Sequence, residues 1–358
     1  MAAWSLRELR ERLGKPGYLQ AVEPLQMSTA LSTARVSKML LDAVSGKWSR
    51  KTRLAHSTRD EPNMTQMPMV LHSDDVLLEG ADSELAEVCR WQTLLGSDPK
   101  KTSKLTVGVA TVFPGCPASS HAHPEDEIYY IISGEGITQV SGVDHSTPAG
   151  TTIFIPGGLT HGFRNTGKTE AKLLYAFAAD SFASIKYDHS GNSIRSTLES
   201  TKHKNLRTVV VHESDVVYEG KGTAFEHACQ WRTLCSSDRM PSAKLTLCHN
   251  EILPKGLHYQ GMHAHAEAQM YYILSGEGIA ALDNVRQKVS AGSVMYIPGG
   301  IFHKLENTGS DPLCFLDVMA TDSLANVDFK FKISNTVKSP EFTISSQPER
   351  NTAHRASL

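Results

Sequence analysis

His121-Ala-His123-Pro-Glu-Asp-Glu127-Ile-Tyr129-Tyr-Ile-Ile-Ser-Gly134, followed by Gly150-Thr-Thr-Ile-Phe-Ile-Pro156-Gly-Gly158-Leu-Thr-His161-Gly-Phe-Arg-Asn165, decides how this chain is read. His121, Gly134, Gly150, Pro156, Gly158, His161 and Asn165 recur 142 positions later as His263, Gly276, Gly292, Pro298, Gly300, His303 and Asn307. Upstream the register continues at an offset of 140, where Val76, Cys89, Trp91, Thr93 and Lys104 return as Val216, Cys229, Trp231, Thr233 and Lys244. The change of offset places a two-residue insertion between Pro254 and His263. A unit of this length far exceeds the roughly 20 to 50 residues of solenoid repeats, so a globular domain has been duplicated.

A chain of 358 residues holds two such domains and two ends. The expected division is an N-terminal extension at 1–66, partly helical, a first domain at 67–200, a second at 201–330, and a tail at 331–358. The tail is rich in Ser, Thr, Pro and charge, a composition that favours disorder. In the extension, Arg7, Arg10, Arg12 and Arg35 suit an organellar transit peptide, but Glu8, Glu11, Glu23 and Asp42 oppose one. A helical arm packed on the barrels or on a partner subunit is the preferred reading, and a homo-oligomer is left open. The net charge of −2, without a long Lys/Arg run on the repeats, argues against nucleic acid or an anionic membrane as the main partner. Six cysteines form no CxxC pair and no apolar signal core follows Met1, so reduced thiols in the cytoplasm are expected.

Between the ends, Lys104 to Phe113, Glu127 to Ile132, Thr151 to Ile155 and Lys172 to Phe177 are short β-branched or aromatic runs bounded by Gly, Pro, Asn or Asp. Each has a counterpart in the second half, with no long helix between them. Tight turns at Ser133-Gly134-Glu-Gly136 and Ser275-Gly276-Glu-Gly278 point to antiparallel barrels or jelly rolls.

The spacing Gly115-x5-His121-x-His123-x3-Glu127-x6-Gly134, with Gly150-x5-Pro156-x-Gly158-x2-His161-x3-Asn165, resembles both motifs of the cupin family. The second half is similar, with one change inside the motif, so residues 70 to 320 resemble a bicupin. That resemblance implies an all-β fold of two tandem double-stranded β-helix (jelly-roll) barrels. It also implies a metal-dependent activity on a small organic molecule.

The residues support a metal on their own terms. Along a strand, i and i+2 share a face, so His121 and His123 project together, while Glu127 and His161 arrive from later segments. Three imidazoles and a carboxylate suit one divalent transition-metal ion per site, Fe, Mn, Cu, Ni or Zn. The competing reading is a metal-free barrel with hydrogen-bonded histidines. In the second half His263, His265 and His303 are kept, but Gln269 replaces the glutamate. The neutral amide weakens affinity while leaving a bound metal the stronger Lewis acid. Three outcomes stay open: a working site with Gln269 as ligand, a site completed by Glu267 through its parity with His265, or a degenerate barrel.

Tyr129 and Tyr271 lie two positions beyond the Glu and the Gln, where an inward phenol is a candidate catalytic base. The resemblance extends to cupin lyases that cleave dimethylsulfoniopropionate, which use a tyrosine there, although core packing explains the same aromatic period. His258 and Tyr259 are candidates to gate the second pocket, and Arg164 and Lys304 to meet an anionic substrate; a surface role is the plainer reading of all four. Glu79, Trp91, Glu219 and Trp231 recur in both halves and read as shared packing. The function expected first is an oxidoreductase, a mononuclear dioxygenase working in domain 1. The alternative is a non-redox lyase, isomerase or cyclase using either site, and a storage or sensor bicupin comes after both. Oxalate decarboxylase, which is expected to carry Glu in both sites, is put in doubt by Gln269.

Overall fold

The computed structural model describes residues 68–79, 87–96, 104–115, 120–189, 208–219, 228–238, 240, 243–254 and 261–332. The expected N-terminal helices, the two-residue insertion with His258 and Tyr259, and nearly all of the tail lie outside these residues. The described residues form strands and short 3₁₀ turns.

In the first half the strands are β1 (Met69–His72), β2 (Cys89–Leu95), β3 (Thr106–Val112), β4 (Glu127–Ser133), β5 (Glu135–Val140), β6 (Val143–Pro148), β7 (Thr151–Ile155), β8 (His161–Asn165) and β9 (Ala171–Phe177). The second half repeats them as β10 (Val209–His212), β11 (Cys229–Cys235), β12 (Thr246–Ile252), β13 (His263–Ala264), β14 (Gln269–Ser275), β15 (Glu277–Leu282), β16 (Val285–Ser290), β17 (Ser293–Ile297), β18 (His303–Asn307), β19 (Leu313–Met319) and β20 (Lys330–Phe331). The last strand runs one residue past the boundary placed at 330. Each barrel closes a six-stranded sheet on a smaller one, in the orders β10-β7-β4-β9-β3-β2 with β6-β5-β8, and β1-β17-β14-β19-β12-β11 with β16-β15-β18-β13-β20. The pairings are antiparallel.

The first strand of each half pairs in the other barrel. Met69–His72 runs along β17, and Val209–His212 along β7. Each exchanged strand is fastened at its end: His72 Nε2 lies 2.9 Å from the Ala291 carbonyl and His212 Nε2 3.0 Å from that of Ala149. The barrels thereby cover one another's edge strands, which would otherwise expose unpaired backbone groups.

Alternation along the strands sorts the core into three. On β4, Tyr129 and Ile131 face the interior of the first barrel, whereas Ile128 and Tyr130 face an apolar layer shared by both halves. On β14, Tyr271 and Ile273 turn inward and Met270 and Tyr272 join that shared layer. Glu79 and Glu219 bridge to Trp91 and Trp231, and their carboxylates accept the backbone N–H groups of Thr93 and Thr233. These recurrent residues therefore brace strand ends. The five cysteines among the described residues are thiols. No helix of the described residues is long and apolar enough to cross a membrane.

Candidate metal centre

In the first barrel, His121 and His161 are joined by a pair of backbone hydrogen bonds, and Glu127 and His161 open β4 and β8. The glycines of the second motif hold these segments together. Gly158 N–H donates to the His123 carbonyl at 2.7 Å, and Gly157 N–H to Asp126 Oδ1 at 2.8 Å. A side-chain carbon at Gly157 would stand 2.0 Å from the Pro124 carbonyl oxygen, so only glycine allows this approach.

One ligand atom from each of His121, His123, Glu127 and His161 falls within 4.8 Å of the others. Glu127 Oε2 is 2.8 Å from His161 Nε2 and 3.2 Å from His123 Nε2, and the two Nε2 atoms are 3.2 Å apart. The Nδ1 atoms of His123 and His161 lie 3.0 and 2.8 Å from the carbonyls of Glu125 and Leu159, which can only accept. With the Nδ1 protons so committed, both Nε2 lone pairs point where the carboxylate points, an arrangement that fits a cation. Burial opposes ionisation of Glu127, but hydrogen bonds and charge from His123 and His161 outweigh it and hold the carboxyl at about 2. Burial likewise opposes a charge on His123, yet its hydrogen bond to Glu127 and the carboxylate's charge raise it above its ordinary value.

The second barrel brings His263, His265 and His303 together in the same way. Their Nδ1 atoms do not all have the same backing: His263 and His303 lie 3.1 and 2.9 Å from the carbonyls of Gly261 and Ile301, whereas His265 Nδ1 is 3.6 Å from Glu267 Oε2. Glu267 therefore stands behind His265 and does not complete the set, contrary to the parity reading, because the strand breaks between Ala264 and Gln269. Gln269 does join it. Its Oε1 is 2.9 Å from His265 Nε2, and its amide donates to both oxygens of Asp317, at 2.8 and 2.9 Å. The buried Nε2 of His303 has no hydrogen-bond partner, an orphan lone pair that also fits a cation. Burial lowers all three histidines, His263 to about 4. Burial also raises Asp317, to about 7, against the opposing Gln269 hydrogen bond.

Tyr129 and Tyr271 both turn inward, 6.1 and 6.2 Å from the rings of His161 and His303. Burial first, and then the charge of Glu127 or Asp317, pushes each phenol well above its ordinary value. Lys304 is instead paired with Glu306.

A cavity of about 340 Å³ opens beside the first centre, with His121, Glu127 and Tyr129 in its wall. Trp91, Phe163, Tyr175, Phe177 and Phe182 make the remainder largely aromatic, and Tyr187 and His189 complete it. Those last two were not singled out from the sequence. Tyr187 packs 5.1 Å from His121 and 5.5 Å from His123. The signal was available, since the 142-residue register runs on to Phe329 and Phe331, which pack against His263 and His265. Asp317 was also missed; its counterpart is Tyr175.

The family profile for the cupin domain matches residues 108–177 and 250–319. Dimethylsulfoniopropionate lyase DddW of Ruegeria pomeroyi is 30% identical over 133 residues, which are 37% of this chain and 87% of that protein. The chain is a bicupin of the cupin family. An oxalate-binding protein of Thermotoga maritima is 40% identical to the bicupin over 62 residues, 17% of this chain and 51% of that one. Among solved structures, a variant of Bacillus subtilis oxalate decarboxylase superposes with a TM-score of 0.55 at 16% identity, covering 75% of the bicupin and 82% of that chain. The formate complex of Lactobacillus farciminis oxalate decarboxylase does so with 0.55 at 15%, covering 75% and 91%. At these identities the two structures show a shared fold. One structure of the Bacillus enzyme describes its manganese(II) centres.

Proposed function

We propose that this bicupin is a metal-dependent lyase that works in the first barrel, on a small organic acid bearing a leaving group β to its carboxylate. The observation that carries the proposal is Tyr129, an ionisable phenol in the wall of a largely aromatic cavity that also holds His121 and Glu127 of the candidate metal set. His121, His123, Glu127 and His161 would hold the metal. Bound there, it would supply a Lewis acid for the substrate carboxylate and for the charge that develops beside it.

The chain's own residues do the rest. Trp91, Phe163, Phe177 and Phe182 exclude water and pack on the apolar part of the substrate. The Tyr129 oxygen takes the proton α to the carboxylate as the bond to the β substituent breaks, and that substituent leaves with the electron pair. Burial first, and then the charge of Glu127, opposes ionisation of the phenol. A cation at the centre would offset the second of these, and the phenol's own proton would pass to solvent before its oxygen acts as the base.

The likeness to a dimethylsulfoniopropionate lyase supports this reading over the dioxygenase reading of the sequence. The probe is dimethylsulfoniopropionate itself, offered to full-length protein loaded in turn with Fe(II), Mn(II) and Zn(II). Turnover that persists under nitrogen is expected, and turnover that needs dioxygen would return the protein to the oxidoreductases.

A further inference from the structure

Outside both barrel interiors, β12 carries a polar pair that its repeat lacks. His249 and Glu251 alternate with Cys248 and Asn250, so they share one face of the sheet. The residues 140 positions earlier are Val109 and Thr111. Glu251 lies opposite Cys314 of β19, whose counterpart 142 positions earlier is Lys172. One ligand atom from each of His249, Glu251 and Cys314 falls within 4.8 Å of the others. A fourth group comes from the first barrel: Glu213, next after the exchanged strand β10, places Oε2 at 3.9 Å from His249 Nε2.

The surroundings hold these groups as a coordination sphere is held. Tyr130 donates to Glu213 Oε2 at 2.6 Å, Gln230 donates to Glu251 Oε2 at 2.9 Å, and the Tyr218 hydroxyl donates to Glu251 Oε1. Ligating carboxylates are oriented by such second contacts. His249 is only 6% exposed, and its buried Nδ1 has no hydrogen-bond partner. Burial depresses its pKa despite the nearby carboxylates, so the ring is neutral and its lone pair is open to a cation. Arg232, stacked 3.7 Å over the Tyr218 ring, is the one guanidinium acting on this group, against two carboxylates. The balance favours an additional positive charge in a low-dielectric seam.

We propose that His249, Glu251 and Cys314 form a third metal site, of zinc type, across β12 and β19 of the second barrel, with the Glu213 carboxylate standing beside it. Thiolate, imidazole and carboxylate are the donors zinc takes. Binding displaces the Cys314 proton to solvent and closes three bonds that tie β12 to β19.

Cobalt(II) separates this site from the barrel centres, because neither His/Glu/Gln set contains a sulfur. Full-length protein is freed of metal with a chelator and titrated with Co(II). The expected result is a near-ultraviolet thiolate-to-cobalt band whose plateau corresponds to one thiolate–Co(II) site per chain. The band should survive in His123→Ala and His265→Ala and vanish in Cys314→Ser and His249→Gln. Zinc should then raise the Tm of the wild type by several degrees more than that of Cys314→Ser. The absence of the band in wild type, its persistence in Cys314→Ser, or an equal zinc-induced Tm rise in both proteins would overturn the proposal and leave the cluster a hydrogen-bonded seam.

Discussion

The two barrels keep one backbone register but differ around their centres. Glu127, Tyr175, Phe177, Tyr187 and His189 of the first correspond to Gln269, Asp317, Met319, Phe329 and Phe331 of the second. In the first barrel the carboxylate is in the ligand set, and tyrosines and a histidine line a cavity. In the second, the carboxylate stands instead on β19, at Asp317, where it clasps the amide of Gln269 while Oε1 lies toward His265. The mouth tyrosine and histidine have become phenylalanines that face His263 and His265. Duplication has thus kept the three-histidine arrangement twice, while the carboxylate ligand candidate and the Tyr187 and His189 rings stand in the first barrel alone.

The tyrosines give the largest expected difference. Tyr129→Phe should lower kcat by roughly 10²- to 10⁴-fold, the usual contribution of a general acid or base, with metal content unchanged. Tyr271→Phe should change it by less than about threefold, because its hydroxyl lies in the second barrel, beside Gln269, away from the first centre. Steady-state kinetics paired with elemental analysis would check both, and equal losses in the two variants would erase the distinction.

A second comparison concerns where the charge lies. Gln269→Glu alone should not strengthen metal binding in the second barrel, since it sets two carboxylates against each other at the distances now bridged by the amide hydrogen bonds. Gln269→Glu combined with Asp317→Tyr recreates the first barrel's pairing and should tighten zinc binding by about tenfold or more, read by competition with a chromogenic chelator. A single Gln269→Glu that binds as tightly as the double variant would show that Asp317 has no part in the site.

The smallest effect is on stability. In metal-free protein, Asp317 has a folded-state value raised to about 7 from an ordinary value of 3.8. Its contribution is therefore fully present below that ordinary value and is lost as pH rises toward about 7. Glu127 works in the opposite sense: it contributes above the ordinary carboxylate range, and that contribution is lost as pH falls through about 2. Between pH 4 and 7 Asp317 opposes the gain in stability that the depressed His263, His265 and His303 give as pH rises, so the Tm of metal-free Asp317→Asn should climb more steeply with pH than that of the wild type. An unchanged slope in the variant would mean that Asp317 titrates near its ordinary value.

The duplication, the barrels and the eight candidate ligands are legible in the sequence, because imidazoles at i and i+2 and glycines at fixed turns leave a spacing that needs no partner to be recognised. Strand exchange is not, since Met69–His72 carries the same apolar text whether it pairs with its own barrel or with β17 of the other. Glu267 was misplaced because parity assumes an unbroken strand, and the chain bends between Ala264 and Gln269. Asp317 looks like one more alternation in β19 until its two hydrogen bonds to Gln269 are seen. Tyr187 and His189 follow the last motif residue, where a motif search stops although the repeat does not. The His249, Glu251 and Cys314 cluster joins strands distant in sequence, and only their register shows it.

The central claim is that catalysis belongs to the first barrel. Turnover of dimethylsulfoniopropionate under nitrogen, measured side by side for His123→Ala and His265→Ala in metal-loaded full-length protein, tests it most directly. Activity should disappear in His123→Ala and remain within about threefold of wild type in His265→Ala; loss in His265→Ala with His123→Ala still active would contradict the account.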